Sequence, residues 1–371
     1  MASRWTCCSP SRCPRPTSDM PVARVDPRLL VPVDGRVPAE TVLADLAGEP
    51  TALRFEGPPG EAGRGQGPPA SWSGVASGRA FLHGAVALTV GVGAPAAVRD
   101  AFDLYTDDAA TADGWLARFE QSPRAAVAAA LLTRHASDDV WAGLVAESTT
   151  YSMLQTGPEF EAWRRDRCPP SAPTDLDRPR VRVERGEVYE VVLTRPGRHN
   201  ALDVAMRDQL HAALDEARGM RGPVVVRGEG PSFCSGGDLA EFGTAPGPVD
   251  AHLVRLSRSL ALTFAELGPR LVVALHGACL GAGVELAAFA ARVVAAHDAR
   301  IGLPEIGFGL VPGAGGTVSI PRRAGRHRLL ELLLGPDTIE AGTALAWGVV
   351  DELVPRARLE ERAREVAAAL R

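Results

Sequence analysis

With 371 residues, the chain has room for two domains and large buried cores. Its formal charge of -5 argues against nucleic acid or an anionic membrane surface as partner, and no apolar run is long enough to span a bilayer. All 40 basic residues are arginine, which excludes a Schiff-base lysine and a phosphate-loop lysine.

Residues 1–19, MASRWTCCSPSRCPRPTSD, are rich in Arg, Cys, Ser and Pro and lack the apolar centre of a secretory signal. They read as a disordered tail, with Met20 as an alternative start and a transit peptide as the competing reading. A chain beginning at Met20 is expected to keep its melting temperature and activity, and limited proteolysis is expected to remove the tail early. Loss of folding on truncation would refute this. The six cysteines, at 7, 8, 13, 168, 234 and 279, show no zinc spacing, and a reducing cytoplasm is the simplest setting.

Residues 20–167 read as a separate, mostly helical region. Thr41 to Ala47 is a short helix candidate, residues 57–69 a flexible loop, and Gly84 to Val92 a strand. From Pro95 the pattern turns helical through PAAVRDAFDLY, ADGWLARFE, SPRAAVAAALLTRHA and a long stretch from Asp138 to Trp163. Ser122 and Pro123 fit an N-cap followed by proline in the first helical turn. Trp141, Leu144, Ser148, Tyr151 and Met153 recur at roughly helical spacing and read as core packing. Residues 168–180, CPPSAPTDLDRPR, form a proline-rich linker.

The second domain, residues 181–371, opens with strand candidates Val181 to Glu184 and Val188 to Thr194. A helix from Val204 to Arg218, N-capped by Asp203, and a strand from Pro223 to Gly228 follow. Strand-strand-helix units recur from there, the pattern of an α/β domain. Leu271 to Leu275 is a continuous apolar run, hence a buried strand, and it feeds a small-residue turn and a helix carrying Glu285. Such a turn leaves backbone N–H groups uncovered, and the helix dipole adds partial positive charge. The Gly236-Gly237 pair sits in a comparable turn. A second acid, Glu305, lies in the turn Leu303-Pro304-Glu305-Ile306-Gly307. Two carboxylates and backbone donors on neighbouring turns are the parts of an acid–base site for a carbonyl compound. Each acid alone has a plainer reading, as a dipole partner or a turn residue. Cys234 and Cys279 read as packed thiols, and His199 and His276 as structural.

Four blocks, LTRPGRHNALD, PSFCSGGDLAEF, HGACLGAGVELA and LPEIGFGLVPGAGGT, resemble the signature blocks of the enoyl-CoA hydratase/isomerase (crotonase) superfamily, in its order and spacing. The resemblance runs from about Val181 to Pro355. It implies a crotonase-like spiral of ββα units acting on an acyl-CoA thioester. The N–H groups of Gly237 and Ala282 would form an oxyanion hole, with alanine at 282 where many relatives carry glycine. Glu285 and Glu305 would be catalytic. Arg195, Arg198, Ser235, Gly236, Asp238 and Gly281 would surround the substrate and its coenzyme A. Coenzyme A would enter only as part of the substrate, with no metal or redox cofactor, and the assembly would be a homotrimer or homohexamer.

Residues before Arg180 lie outside that resemblance and weakly resemble the helical N-terminal region of the dihydroxyphenylacetyl-CoA dioxygenase branch. The chain stops at Arg371, where ordinary hydratases continue through helices that cover the site. The stretch Asp138 to Trp163 is therefore expected to pack on the second domain and help close its pocket. The leading activity is hydration of a 2-enoyl-CoA. A specialised relative, such as a cofactor-free dioxygenase or an isomerase, is the alternative, and a non-catalytic CoA-binding scaffold the reading from another class.

Overall fold

The computed structural model describes residues 22–25, 50–56, 72, 75, 79–167 and 178–370. The N-terminal tail, the helix candidate at 41–47, the loop at 57–69 and residues 168–177 of the linker lie outside the described residues.

The N-terminal region is mixed α/β and mostly helical. It contains β1 (Val22–Val25), β2 (Thr51–Glu56), α1 (Arg79–Gly84), β3 (Ala87–Val92), β4 (Leu104–Thr106), α2 (Ala109–Gln121), α3 (Pro123–Arg134), α4 (Val140–Leu154) and α5 (Pro158–Asp166). Its four strands pair in parallel in the order β1-β2-β3-β4. The helical expectation for PAAVRDAFDLY is corrected here. Ala96–Ala101 is a 3-10 turn, and Leu104–Thr106 pairs with Val90–Val92 as an edge strand. Tertiary contacts decide this. Asp103 is fully buried and accepts from Thr89 N–H and Oγ1, each at 2.8 Å, and from Arg134 Nε at 2.7 Å. A buried carboxylate needs such partners, and local propensity does not encode them.

The long helical stretch is also divided. Gly157-Pro158 starts a new helix, with the proline in its first turn. Within α4, Trp141 and Met153 are exposed, at 43% and 58%, so they leave the expected core stripe. Leu144, Ser148 and Tyr151 are buried, joined by Glu147 and Leu154.

The remaining chain builds β5 (Val181–Arg185), β6 (Tyr189–Leu193), α6 (Val204–Arg218), β7 (Val224–Gly228), α7 (Pro248–Ser257), α8 (Leu260–Leu267), β8 (Leu271–Leu275), β9 (Ala278–Leu280), α9 (Ala282–Ala287), β10 (Arg292–Ala296) and β11 (Arg300–Gly302). A 3-10 turn, Glu305–Phe308, then leads to α10 (Gly316–Ala324), α11 (Arg326–Leu334), β12 (Ile339–Glu340), α12 (Ala341–Ala346), β13 (Glu352–Val354) and α13 (Leu359–Ala368). Six strands form one sheet, ordered β13-β10-β8-β7-β6-β5 and parallel except for the β5–β6 pair. A smaller sheet, β12-β11-β9, stands beside it. Alternation along the strands divides the burial. Val225, Val272, Ala274, Val294 and Ala296 pack on Leu359, Ala363 and Ala367 of α13, while Val224, Val226, Leu271, Val273 and Leu275 face the main core. Asp203 caps α6 as its position suggests, accepting from Met206 N–H at 2.8 Å.

The main core does not stop at the domain boundary read from the sequence. Trp115, Phe119, Ala126, Leu144 and Tyr151 belong to the same apolar cluster as Phe264, Val284, Ile306 and Leu330. Polar contacts cross as well. Ser152 Oγ donates to Pro248 O at 2.9 Å, Arg326 donates to Phe102 O at 3.0 Å, and Arg118 pairs with Asp337. The stretch Asp138 to Trp163 thus packs on the second domain.

Candidate active site

Gly236 has φ +91, and a Cβ there would stand 3.0 Å from Leu280 O, so the absence of a side chain lets the 236–237 turn lie against residues 280–282. Leu202 N–H donates to Gly236 O and Asp238 N–H donates to Leu202 O, which turns the intervening Gly237 N–H away from Leu202. Ala282 opens α9, so its N–H is one of the donors a helix start leaves over. Gly237, Ala282, Glu285 and Glu305 line one cavity of about 530 Å³. The far wall belongs to the N-terminal region, where Leu144, Glu147, Ser148, Tyr151 and Gln155 of α4 line the same space.

Glu285 is 2% exposed. Its Oε2 accepts from Ala314 N–H at 2.7 Å and from Gly316 N–H at 2.9 Å. Glu305 is 7% exposed, and its Oε2 is buried with no hydrogen-bond partner. A Cβ at Gly281, which has φ +48, would stand 2.6 Å from Glu305 Oε1, so a larger residue there would displace the carboxylate. Burial pushes Glu305 up to about 8. Burial and the charges of Glu305 and Glu147 push Glu285 well above the ordinary carboxylate range, against the two N–H bonds that favour its anion. Glu147 is pushed up to about 7 by burial.

These shifts set a pH dependence. An acid whose folded-state pKa is raised stabilises the fold while it holds its proton. For Glu305 that contribution is complete below about 4.5 and lost above about 8, and Glu147 acts in the same direction over a narrower window. Stability is expected to fall from about pH 5 to pH 8, by at most ~1.4 kcal/mol per pH unit for each titrating group. Glu305→Gln cannot ionise and is expected to flatten the fall. Melting temperatures with the same slope in both proteins would reject this.

Arg195, expected beside the substrate and its coenzyme A, is instead buried among carboxylates. Its side chain is 1% exposed and pairs with Asp238 at 2.7 Å and Asp203 at 3.3 Å. Asp238 is occupied too, since its carboxylate also accepts from Ala240 N–H at 3.0 Å, although the residue lines the cavity. Both tie the loop after β6 to the turn at residues 236–238. Arg198, Ser235, Gly236 and Gly281 are not among the cavity-lining residues, and Arg198 is half-buried on the loop after β6. Ser235 N–H donates to His199 O at 2.9 Å.

The thiols of Cys234 and Cys279 are buried and pushed up, to about 12 for Cys234, as suits packed rather than nucleophilic groups. His276 is buried, pushed down to about 4, with Nε2 3.2 Å from Gly230 O, and His199 Nδ1 lies 2.9 Å from Ser232 Oγ. Among the described residues no group of three or more His, Cys, Asp or Glu is placed to hold a metal, and no helix is long and apolar enough to cross a membrane.

Sequence reasoning missed Glu147, Asn200 and Arg255. Asn200 Oδ1 accepts from Arg195 N–H, and its Nδ2 donates to Glu229 O and Ser232 O, fastening the loop after β6. The available signal within RHNALD was the asparagine itself, a residue that tolerates the φ of +53 found there. Arg255 of α7 lies 4.5 Å over the Tyr151 ring and donates to Ser148 Oγ at 3.0 Å.

Residues 184–371, half of the chain, match the model of the enoyl-CoA hydratase/isomerase family. Among solved structures, an enoyl-CoA hydratase/isomerase-type protein of Mycobacterium abscessus is 34% identical, with a TM-score of 0.48, over 51% of this chain and 76% of that one. Enoyl-CoA hydratases of Thermoplasma volcanium and Mycobacterium smegmatis are 29% and 27% identical, with TM-scores of 0.47 and 0.48; the matches cover 52% of this chain and 79% and 77% of theirs. On the match to its second half, the chain belongs to the enoyl-CoA hydratase/isomerase family.

Proposed function

We propose that the protein hydrates a 2-enoyl-CoA thioester, or removes water in reverse, without a metal or redox cofactor. The observation that carries this reading is the carboxylic pair. Glu305 holds a buried oxygen with no hydrogen-bond partner, in the cavity that Glu285, Gly237 and Ala282 also line. The thioester carbonyl would accept from the N–H groups of Gly237 and Ala282 as enolate charge develops, a contact worth ~3 kcal/mol per donor in comparable holes. Glu285, with one oxygen anchored by Ala314 and Gly316, would take the proton of the attacking water through the other. Glu305, protonated at neutral pH by its raised pKa, would deliver the α-proton. The N–H groups of Ala314 and Gly316 oppose the rise in Glu285 and support its anion when one proton is shared by the pair. Water attacks the β-carbon, the double bond's electrons pass to the thioester oxygen, and reprotonation at the α-carbon completes the addition. Closure by α4 would keep bulk water away and strengthen the donors. The test is a panel of 2-enoyl-CoA thioesters followed by mass spectrometry for a gain of one water. Oxygen consumption, double-bond migration, or binding without turnover would replace this reading.

A further inference from the structure

Four consecutive N–H groups, from Ala314 to Thr317, alternate between two carboxylates on different elements. Ala314 and Gly316 donate to Glu285, at 2.7 and 2.9 Å; Gly315 and Thr317 donate to Glu147, at 2.6 and 2.8 Å, and Thr317 Oγ1 adds a bond of 2.7 Å. Glu285 stands in α9, within the family segment. Glu147 stands in α4, before that segment begins. The turn accommodates both because it is nearly bare. A Cβ on Gly316 would lie 2.7 Å from Glu285 Cγ, and Gly315 takes φ +95 at the start of α10. Both oxygens of Glu147 are thereby committed to the turn, and the residue is 2% exposed.

We propose that Glu147 is a positioning residue of the active site: it holds the Ala314–Thr317 turn from the N-terminal side, and the turn in turn fixes the carboxylate of Glu285. The inference rests on Glu285 as the water-activating group. A carboxylate anchored through one oxygen depends on its anchor. If the turn swings, the free oxygen moves relative to the thioester, and displacements near 1 Å cost reaction rate more than binding. The chain before residue 184 therefore contributes to the chemistry as well as to the cover.

The test uses the full chain and a double-mutant cycle. Glu147→Gln places an amide NH₂ where only donors point, so the turn should loosen. Expected are a fall in kcat of roughly 10- to 100-fold with KM within a few-fold, and faster amide exchange at residues 314–317. In a Glu285→Gln background, Glu147→Gln should lower the residual kcat no further, because its route of action is already removed. A residue that only supports the fold would lower kcat by the same factor in both backgrounds. Thr317→Val, which keeps the shape and loses one of the three bonds, should give a smaller loss, and Thr317→Ser should recover most of it. Equal losses in both backgrounds, or unchanged exchange at 314–317 in Glu147→Gln, would overturn the proposal. A wild-type protein that hydrates no thioester would instead sink the hydratase reading, and the exchange measurement would still decide whether Glu147 tethers the turn.

Discussion

Glu305→Gln, and separately Glu285→Gln, are expected to lower turnover on the true thioester by roughly two orders of magnitude or more, the scale of general acid–base catalysis. Thioester binding should survive in both, because neither substitution changes shape and the Gly237 and Ala282 N–H groups are untouched. The two losses differ in origin. Glutamine at 305 keeps the volume of a group whose Oε2 has no partner to lose, so only the transferable proton disappears. Glutamine at 285 can still accept from Ala314 and Gly316 through its carbonyl, so the turn should persist while the base is gone. The pH profile separates the roles further. Wild-type kcat should decline above about pH 8 as Glu305 loses its proton, and Glu305→Gln should lack that limb. Near-wild-type turnover in either variant would end the two-glutamate mechanism.

Removing everything before about Asp177 is expected to be the most damaging change. Leu144, Tyr151 and Leu154 of α4 and Trp115 and Phe119 of α2 share a core with α8, α10 and α11, so their loss would expose a contiguous apolar face. Glu147 would vanish from the Ala314–Thr317 turn, and the cavity would lose the wall that α4 supplies. We expect a shortened chain that aggregates or binds an apolar dye strongly, with thioester turnover down by at least ~100-fold where soluble protein is recovered. A soluble, oligomeric second domain with unchanged substrate affinity would show that α4 neither supports nor closes the site.

The second half was legible because its signals are local. Two glycines in series, a bare turn before a short helix, and an acid three residues after Ala282 are set by chain geometry over a few residues, and the family blocks follow from them. The strand Leu271–Leu275 and the Asp203 cap of α6 fell where composition put them. Three-dimensional packing decided the rest. The resemblance puts Arg195 beside coenzyme A, yet Asp203 and Asp238 meet it once the loop after β6 folds onto the turn at residues 236–238. Glu147 carried no local signal, because an acid on a buried face is stable only with donors supplied from elsewhere. Its donors lie 168 and 170 residues away, on Gly315 and Thr317. A helix sequence states which residues share a face, but the partner across that face comes from the tertiary fold, and here that partner is the turn that also holds Glu285.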